Sequence, residues 1–395
     1  MPFILSSKNI FEYLLQLGLC NEDTSNSAEI EVKPAKNFNL LVKCGSDRSL
    51  LVKQERLGAG GKTANEFLNE WQFHQLLRHF QKLNSMTSFV SEVVNFDQEN
   101  SIIIYNYLLD YTDLDTFYRQ EQSFPIEIAR TLGTTLATLH RHTFNIQEYH
   151  DFISHTAEDI SRPQFSHAVS AELLNRIEPE IFGLVPTNCL KFFVLYQRYD
   201  SLSIAVQELV SHAQLCCLTH NDLKLNNILL HHEWERSQTA VSQLATGDLR
   251  LIDWERSAWG DPAFDLGTLI ASYLQIWLNS LVVDPSISLE ASLRIAGTPL
   301  DKLQPSLIAM IRAYLNHFPI TLEHYPDFLT RTIQYAGLAL IQQIVGTIQH
   351  QKYFGNSSIC LLQVAKSLLC RPETSFSSIF GITEAELKNS AYAIV

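Results

Sequence analysis

The segment His220-Asn221-Asp222-Leu223-Lys224-Leu225-Asn226-Asn227 is followed downstream by Leu251-Ile252-Asp253-Trp254-Glu255, and the rest of the chain is best read outward from this pair. The first segment is a His-x-Asp-x-x-x-x-Asn loop; the second sets another aspartate at the end of a hydrophobic strand. Phosphoryl transfer calls for these groups because the protein contributes mainly positioning and charge neutralisation. One carboxylate, Asp222, suits the role of accepting or orienting an acceptor hydroxyl's proton. Asn227 and Asp253 are oxygen donors that suit Mg²⁺, the hard cation that bridges ATP phosphates.

A lone His-x-Asp triplet carries little information, since such triplets arise by chance in surface loops. The wider context is more demanding. CCLTHNDLKLNNILLHH, residues 216–232, reads as strand–loop–strand, and GDLRLIDWERSAWGDPAFDLG, residues 247–267, reads as turn–strand–Asp–loop–helix. The plain alternative makes Asp222 and Asp253 ordinary turn residues, and the combined pattern argues against it.

Asp222 to Asn227 and Asp253 to Gly267 together resemble the aminoglycoside phosphotransferase and choline kinase superfamily. The resemblance rests on His220, Asp222, Leu223 and Asn227, then Ile252-Asp253-Trp254-Glu255, then Gly260-Asp261-Pro262 with Asp265-Leu266. It covers the central part of the chain well, the N-terminal part moderately and the last hundred or so residues hardly at all. It implies an α+β, bilobal protein-kinase-like fold, with a small antiparallel-sheet N-lobe and a large, mostly helical C-lobe. It also implies transfer of the ATP γ-phosphate to a hydroxyl of a small molecule such as an amino-sugar or a choline-like metabolite. In that frame Asp222 is the base, Asn227 and Asp253 hold Mg²⁺, and Asp265 braces the catalytic loop. His220 orders that loop by hydrogen bonding.

The N-terminal pattern agrees. Residues 8–20 have apolar groups at helical spacing, and a polar stretch follows to Ser27. Strand-like alternation then begins with Ile30 and Val32, continues through Phe38 to Lys43, and resumes after a turn at Gly45-Ser46-Asp47 with Ser49 to Gln54. Lys53 ends this third strand and is the candidate for the lysine that contacts the α- and β-phosphates. Its partner is expected on a helix over residues 63–80, where Glu66 and Glu70 are four residues apart; Glu70 is favoured. Gly58 to Thr63 resembles a Walker A loop, but that motif needs glycine at position 56, which is Arg56. A kinase glycine-rich loop belongs between the first two strands, where Lys33-Pro34-Ala35-Lys36-Asn37 has no glycine. The strand from Ser101 to Leu108 leads to the interlobe hinge, with backbone near Tyr105 and Tyr107 expected to bond adenine.

The domain reading is therefore residues 1–27 as an N-terminal helix and loop, 28–108 as the nucleotide-binding lobe and 109–395 as the catalytic, acceptor-binding lobe. In the last, helices are expected over 126–142, 263–282, 303–317, 326–350 and 357–370, with a hairpin excursion over 231–247.

Composition bounds the function. Hydrophobic residues make up 46% of the 395 and charged residues 18%, as in a folded globular protein. A net charge of −13, from Lys+Arg 29 against Asp+Glu 42, argues against a nucleic-acid partner, which would need a basic footprint. The seven cysteines show no metal-type spacing, and Cys216-Cys217 read as small buried hydrophobes. The start lacks a secretion-signal pattern, and no apolar segment is long enough to span a bilayer. A cytoplasmic enzyme is expected, without a membrane partner.

Lys224 admits a second acceptor. Asp-Leu-Lys also occurs in Ser/Thr protein kinases, and a lysine two residues after the base can neutralise charge on the transferred phosphate. The alternative acceptor is then a Ser/Thr hydroxyl on a peptide, for example a ribosomal natural-product precursor. A non-catalytic kinase-fold scaffold is the third alternative; it predicts loss of a base or metal residue, and none is lost. Acidic groups at Asp159, Glu172, Glu178 and Glu180 could face a cationic substrate or water.

Overall fold

The computed structural model describes residues 3–21, 29–45, 48–58, 61–155, 185–236, 247–284 and 286–392. Asp159, Glu172, Glu178 and Glu180, most of the 231–247 excursion, and Ser46 and Asp47 of the expected turn lie outside them.

Five antiparallel strands form the N-lobe sheet: β1 (Glu29–Lys33), β2 (Phe38–Lys43), β3 (Ser49–Gln54), β4 (Val93–Asp97) and β5 (Ile102–Asn106), in the order β1-β2-β3-β5-β4. β4, with only a short apolar signal in Val93-Val94, was not foreseen. Period-two alternation sends successive side chains to opposite faces. On one face Leu40, Val42, Leu50, Val52, Ile102 and Ile104 pack against Ile10 and Leu14 of the helix Ile10–Gln16. That helix therefore shares the core of the sheet rather than standing apart from it. On the other face Ile103, Tyr105 and Val93 pack against Phe67 of the helix Glu66–His79. The sheet is covered on both sides, and this explains the unbroken apolar run in β5. Cys20 and Cys44 form a disulfide joining the end of the N-terminal segment to β2. The sequence reading did not foresee this bond, and a reducing compartment would tend to open it.

The C-lobe is helical around three short strand pairings. β6 (Tyr111–Asp113) pairs with β8 (Ile228–His231), which pairs with β9 (Leu249–Leu251); β7 (Cys217–Thr219) pairs with β10 (Ala258–Gly260). Expected helices are found at Ile126–Thr143, Pro262–Asn279, Leu300–His317, Phe328–Gln351 and Asn356–Cys370. Further short helices follow at Pro372–Phe380 and Glu384–Tyr392. Gly133 lets the first of these approach the third: a Cβ there would lie 2.1 Å from the Met310 carbonyl oxygen. No helix among the described residues is long and apolar enough to cross a membrane.

Candidate active site

The two strand–loop units converge because their strands pair. The β7–β8 connection carries Asp222 and Asn227, and the β9–β10 connection carries Asp253. Both loops turn through left-handed backbone, at Asn221 (φ 63°) and Asp253 (φ 61°). Asn and Asp tolerate this region better than most residues, and such positions cluster at functional sites.

The aspartate in Asp-Leu, Asp265, anchors the first loop. Fully buried, it accepts from the N–H of His220 at 2.7 Å and of Asn221 at 2.8 Å. His140 Nε2 lies 3.3 Å from the same carboxylate, and His140 Nδ1 lies 2.8 Å from the Tyr314 hydroxyl. Burial alone would raise the Asp265 pKa, but His140 and His220 more than offset it and hold the carboxyl below its ordinary value. Asp265 is not the helix N-cap. That role falls to Asp261, which accepts from Ala263 N–H at 2.9 Å and takes Arg331 Nε at 3.1 Å in a buried ion pair.

His220 ties the two loops together. Its Nδ1 accepts from the Asp222 N–H at 3.3 Å, which leaves Nε2, 2.9 Å from the Ile252 carbonyl, as the protonated nitrogen. Both ring nitrogens are thereby committed to loop geometry. Asn227 donates its amide to the Asp222 carbonyl at 2.8 Å and to Asp222 Oδ2 at 3.2 Å, leaving its own carbonyl oxygen as the end that can face a cation. The other oxygen of Asp222 lies 2.7 Å from Lys224 Nζ and 3.6 Å from an Arg256 nitrogen. The Lys224 charge also contributes to holding the Asp253 carboxyl below its ordinary value.

The N-lobe completes the cleft. Lys53 points to the same face of β3 as Leu51, lies 5.2 Å from the centre of the Tyr105 ring, and forms an ion pair with Asp253. Burial would lower its pKa; the charges of Asp253 and Glu70 outweigh that and hold the ammonium above its ordinary value. Lys53 thus pairs directly with Asp253, while Glu70 acts on it through the field. Glu70 itself accepts from the Trp254 N–H at 3.2 Å, and burial pushes its pKa up to about 7. Glu66 takes a different cation, Lys36 of the β1–β2 loop, at 2.5 Å. Tyr105 is buried beside this cluster, and Tyr107 donates its N–H to Ser49 at 2.8 Å. That N–H is committed to the sheet.

The helix Glu66–His79 docks on the Asp253–Ser257 segment through several contacts. Asn69 Nδ2 donates to the Glu255 carbonyl at 2.9 Å and to the Ser257 carbonyl at 2.8 Å, and Phe73 stacks on Trp254 with ring centres 3.9 Å apart. These contacts join residues far apart in sequence, so no local motif could have revealed Lys36, Asn69, His140 or Arg256.

Burial and the neighbouring carboxylates of Glu66, Glu70 and Asp253 push the Glu255 pKa from 4.5 up to about 8. Between those pH values the folded chain holds a proton that the unfolded chain has released, so stability falls as pH rises through that window. Glu255→Gln removes this term. In thermal melts of the ligand-free protein, the variant is expected to gain more over wild type above about pH 8 than near pH 5. A residual slope in the same direction is expected from Glu70, up to about pH 7. An equal gain at both pH values would refute the buried, protonated Glu255.

The antiparallel-sheet N-lobe and mostly helical C-lobe give a kinase-like α+β fold. The model of the phosphotransferase enzyme family matches residues 36–287, and the chain belongs to that family. It is thus a phosphotransferase. No curated protein matches the chain. Among solved structures it is similar to choline kinase LicA from Streptococcus pneumoniae, with 17% identity, 92% of this chain and 98% of that chain covered, and a TM-score of 0.48. A choline/ethanolamine kinase family protein from Mesorhizobium loti is similar at 14% identity, with 94% and 99% covered and a TM-score of 0.49. The gentamicin complex of APH(2")-IIa is similar at 15% identity, with 96% and 99% covered and a TM-score of 0.46.

Proposed function

We propose that the chain transfers the γ-phosphate of ATP to a hydroxyl of a small molecule of the amino-sugar, choline or related metabolite class, using Asp222 as base and Mg²⁺ as the metal. The observation that carries this reading is the Asp222–Asn227 contact at 3.2 Å together with the Lys53–Asp253 ion pair. In this reading residues 28–108 form the nucleotide-binding lobe, with 1–27 added to it, and 109–395 carry the catalytic loop and the acceptor site. The reading goes with a cytoplasmic enzyme that has no nucleic-acid or membrane partner.

The donor set fits Mg²⁺. Among the described residues no cluster of three or more His, Cys, Asp or Glu side chains could hold a metal by itself. Asn227 and Asp253 offer two oxygens, and Mg²⁺ typically takes one or two protein oxygens together with substrate phosphates and waters. When bound, the metal neutralises charge on the phosphates during transfer. Lys53, inside the cleft, holds the α- and β-phosphates, its ammonium kept charged by Asp253 and Glu70. Adenine is left the Tyr107 carbonyl and the Leu108 backbone, since the Tyr107 N–H is committed to the sheet. Asp222 orients the acceptor hydroxyl and takes its proton. Lys224, beside Asp222, faces the transferred phosphate and offsets its developing charge. His220 holds the two loops in register and moves no proton.

Turnover of ATP against aminoglycosides, choline, ethanolamine, methylthioribose, homoserine and Ser/Thr peptides tests the reading. The expected result is Mg²⁺-dependent phosphorylation of one small alcohol, with Asp253→Asn raising the Mg²⁺ concentration needed. Phosphorylation of peptides alone would replace the acceptor class, and absence of Mg²⁺-dependent ATP binding would overturn the catalytic reading.

A further inference from the structure

The loop between β1 and β2 contains a lysine that the chemistry above does not use. It runs Pro34-Ala35-Lys36-Asn37 without glycine. Protein kinases cover the nucleotide phosphates with a glycine-rich loop at this point in the fold. Glycine serves there because, lacking a Cβ, it allows backbone to approach a ligand closely. This loop extends a cation instead. The Lys36 ammonium is 2.5 Å from both carboxylate oxygens of Glu66 and 3.9 Å from Glu255. The Lys36 side chain is 55% exposed and that of Glu66 only 5%. The ammonium is thus held against the cleft wall while its other side stays open.

The carboxylates it touches belong to the nucleotide side of the cleft. The Glu255 charge also acts on Lys53 and on Tyr105. Of the acids here, Glu66 takes Lys36 and Asp253 takes Lys53 as direct ion-pair partners, while burial favours the protonated forms of Glu70 and Glu255. A polyphosphate entering this cleft adds negative charge, and lysine side chains are the groups that can turn toward it. Lysine is a mobile point charge with three donors, so it can exchange one anionic partner for another.

We propose that Lys36 is a phosphate-binding residue: its ammonium leaves Glu66 for the β- and γ-phosphate oxygens of bound ATP, and so supplies from a side chain what a glycine-rich backbone supplies in protein kinases. Glu66 is its ion-pair partner in the nucleotide-free chain. This rests on the ATP-binding reading of the cleft given above.

The test is calorimetric titration of the full chain with ATP and ADP, each with Mg²⁺, and with AMP, for wild type, Lys36→Met and Glu66→Gln. Lys36→Met is expected to weaken ATP and ADP about 10- to 100-fold, the range for hydrogen bonds to charged groups, with AMP nearly unchanged. Glu66→Gln removes the competing partner and is expected to tighten ATP. Equal losses for all three nucleotides would make Lys36 a brace for the loop and overturn the proposal. So would a Glu66→Gln variant that binds ATP as weakly as Lys36→Met. Should wild type bind none of the nucleotides, the cleft reading falls and this inference with it. Should wild type bind and Lys36→Met bind equally well, this inference alone falls.

Discussion

Asp222→Asn is expected to lower kcat by about 10²- to 10⁴-fold, the usual contribution of a positioned general base, while ATP affinity and melting temperature stay near wild type. The amide keeps the size of the carboxylate and can still accept from Lys224, 2.7 Å from Oδ1; its NH₂ loses the 3.2 Å contact with Asn227, which keeps its 2.8 Å bond to the residue 222 carbonyl. It cannot take a proton from an acceptor hydroxyl. Two cations flank this position, so the loss of one negative charge there leaves Lys224 and Arg256 with less to hold them; both side chains are more than a third exposed, and water compensates. The fold is therefore not expected to suffer. Steady-state turnover with whichever acceptor of the panel is phosphorylated, together with a thermal melt, checks the prediction. Turnover above about a tenth of wild type would remove Asp222 from the role of base. A collapse of ATP binding in the same variant would mean that Asp222 acts on the nucleotide instead.

The part of this site legible in the sequence is the part carried by contiguous residues. Asp222, Asn227 and Asp253 lie at strand ends, and a period-two pattern on each side places them. Lys53 was legible for a similar reason, as a lysine near the end of an apolar strand. Its partner was not, because an ion pair between β3 and the β9–β10 connection depends on how two lobes close, and no local pattern encodes that. Glu70 and Glu66 illustrate the limit. Their four-residue spacing puts both on one helix face, but only the fold shows that Glu66 takes Lys36 while Glu70 faces Lys53 and Trp254.

The Asp265 brace was implied by family resemblance rather than read from the residues. His140 and Tyr314 could not be read at all. They lie on helices Ile126–Thr143 and Leu300–His317, whose apolar stripes indicate burial but not which polar group reaches which loop. The Cys20–Cys44 pair is similar: a separation of 24 residues carries no signal until β2 is seen to pack under the N-terminal helix.

Asp265→Asn is the second large effect, and it separates positioning from chemistry because Asp265 has no path to substrate. Its carboxylate accepts two adjacent backbone N–H groups, one per oxygen, at 2.7 and 2.8 Å. An amide offers one acceptor oxygen and turns its NH₂ against the other N–H. His140, bonded on its far side to Tyr314, loses a charged acceptor in a fully buried site. The backbone at His220 and Asn221 must then shift, and with it Asp222. A displacement of about 1 Å at a reacting group can cost about 100-fold in rate. The expected result is a kcat loss of about that size with ATP affinity retained, since Lys53, Glu70 and the hinge are untouched. Asp265→Ala is expected to be worse for the fold, lowering stability by about 3–5 kcal/mol, as when one member of a buried charged pair is removed. Chemical denaturation and a kcat-against-KM comparison distinguish the two substitutions. If Asp265→Asn lost stability but kept kcat in the fraction that remains folded, the catalytic loop would be holding its shape without this carboxylate. The left-handed turn at Asn221 and the His220 link to Ile252 would then be sufficient to hold Asp222 in place.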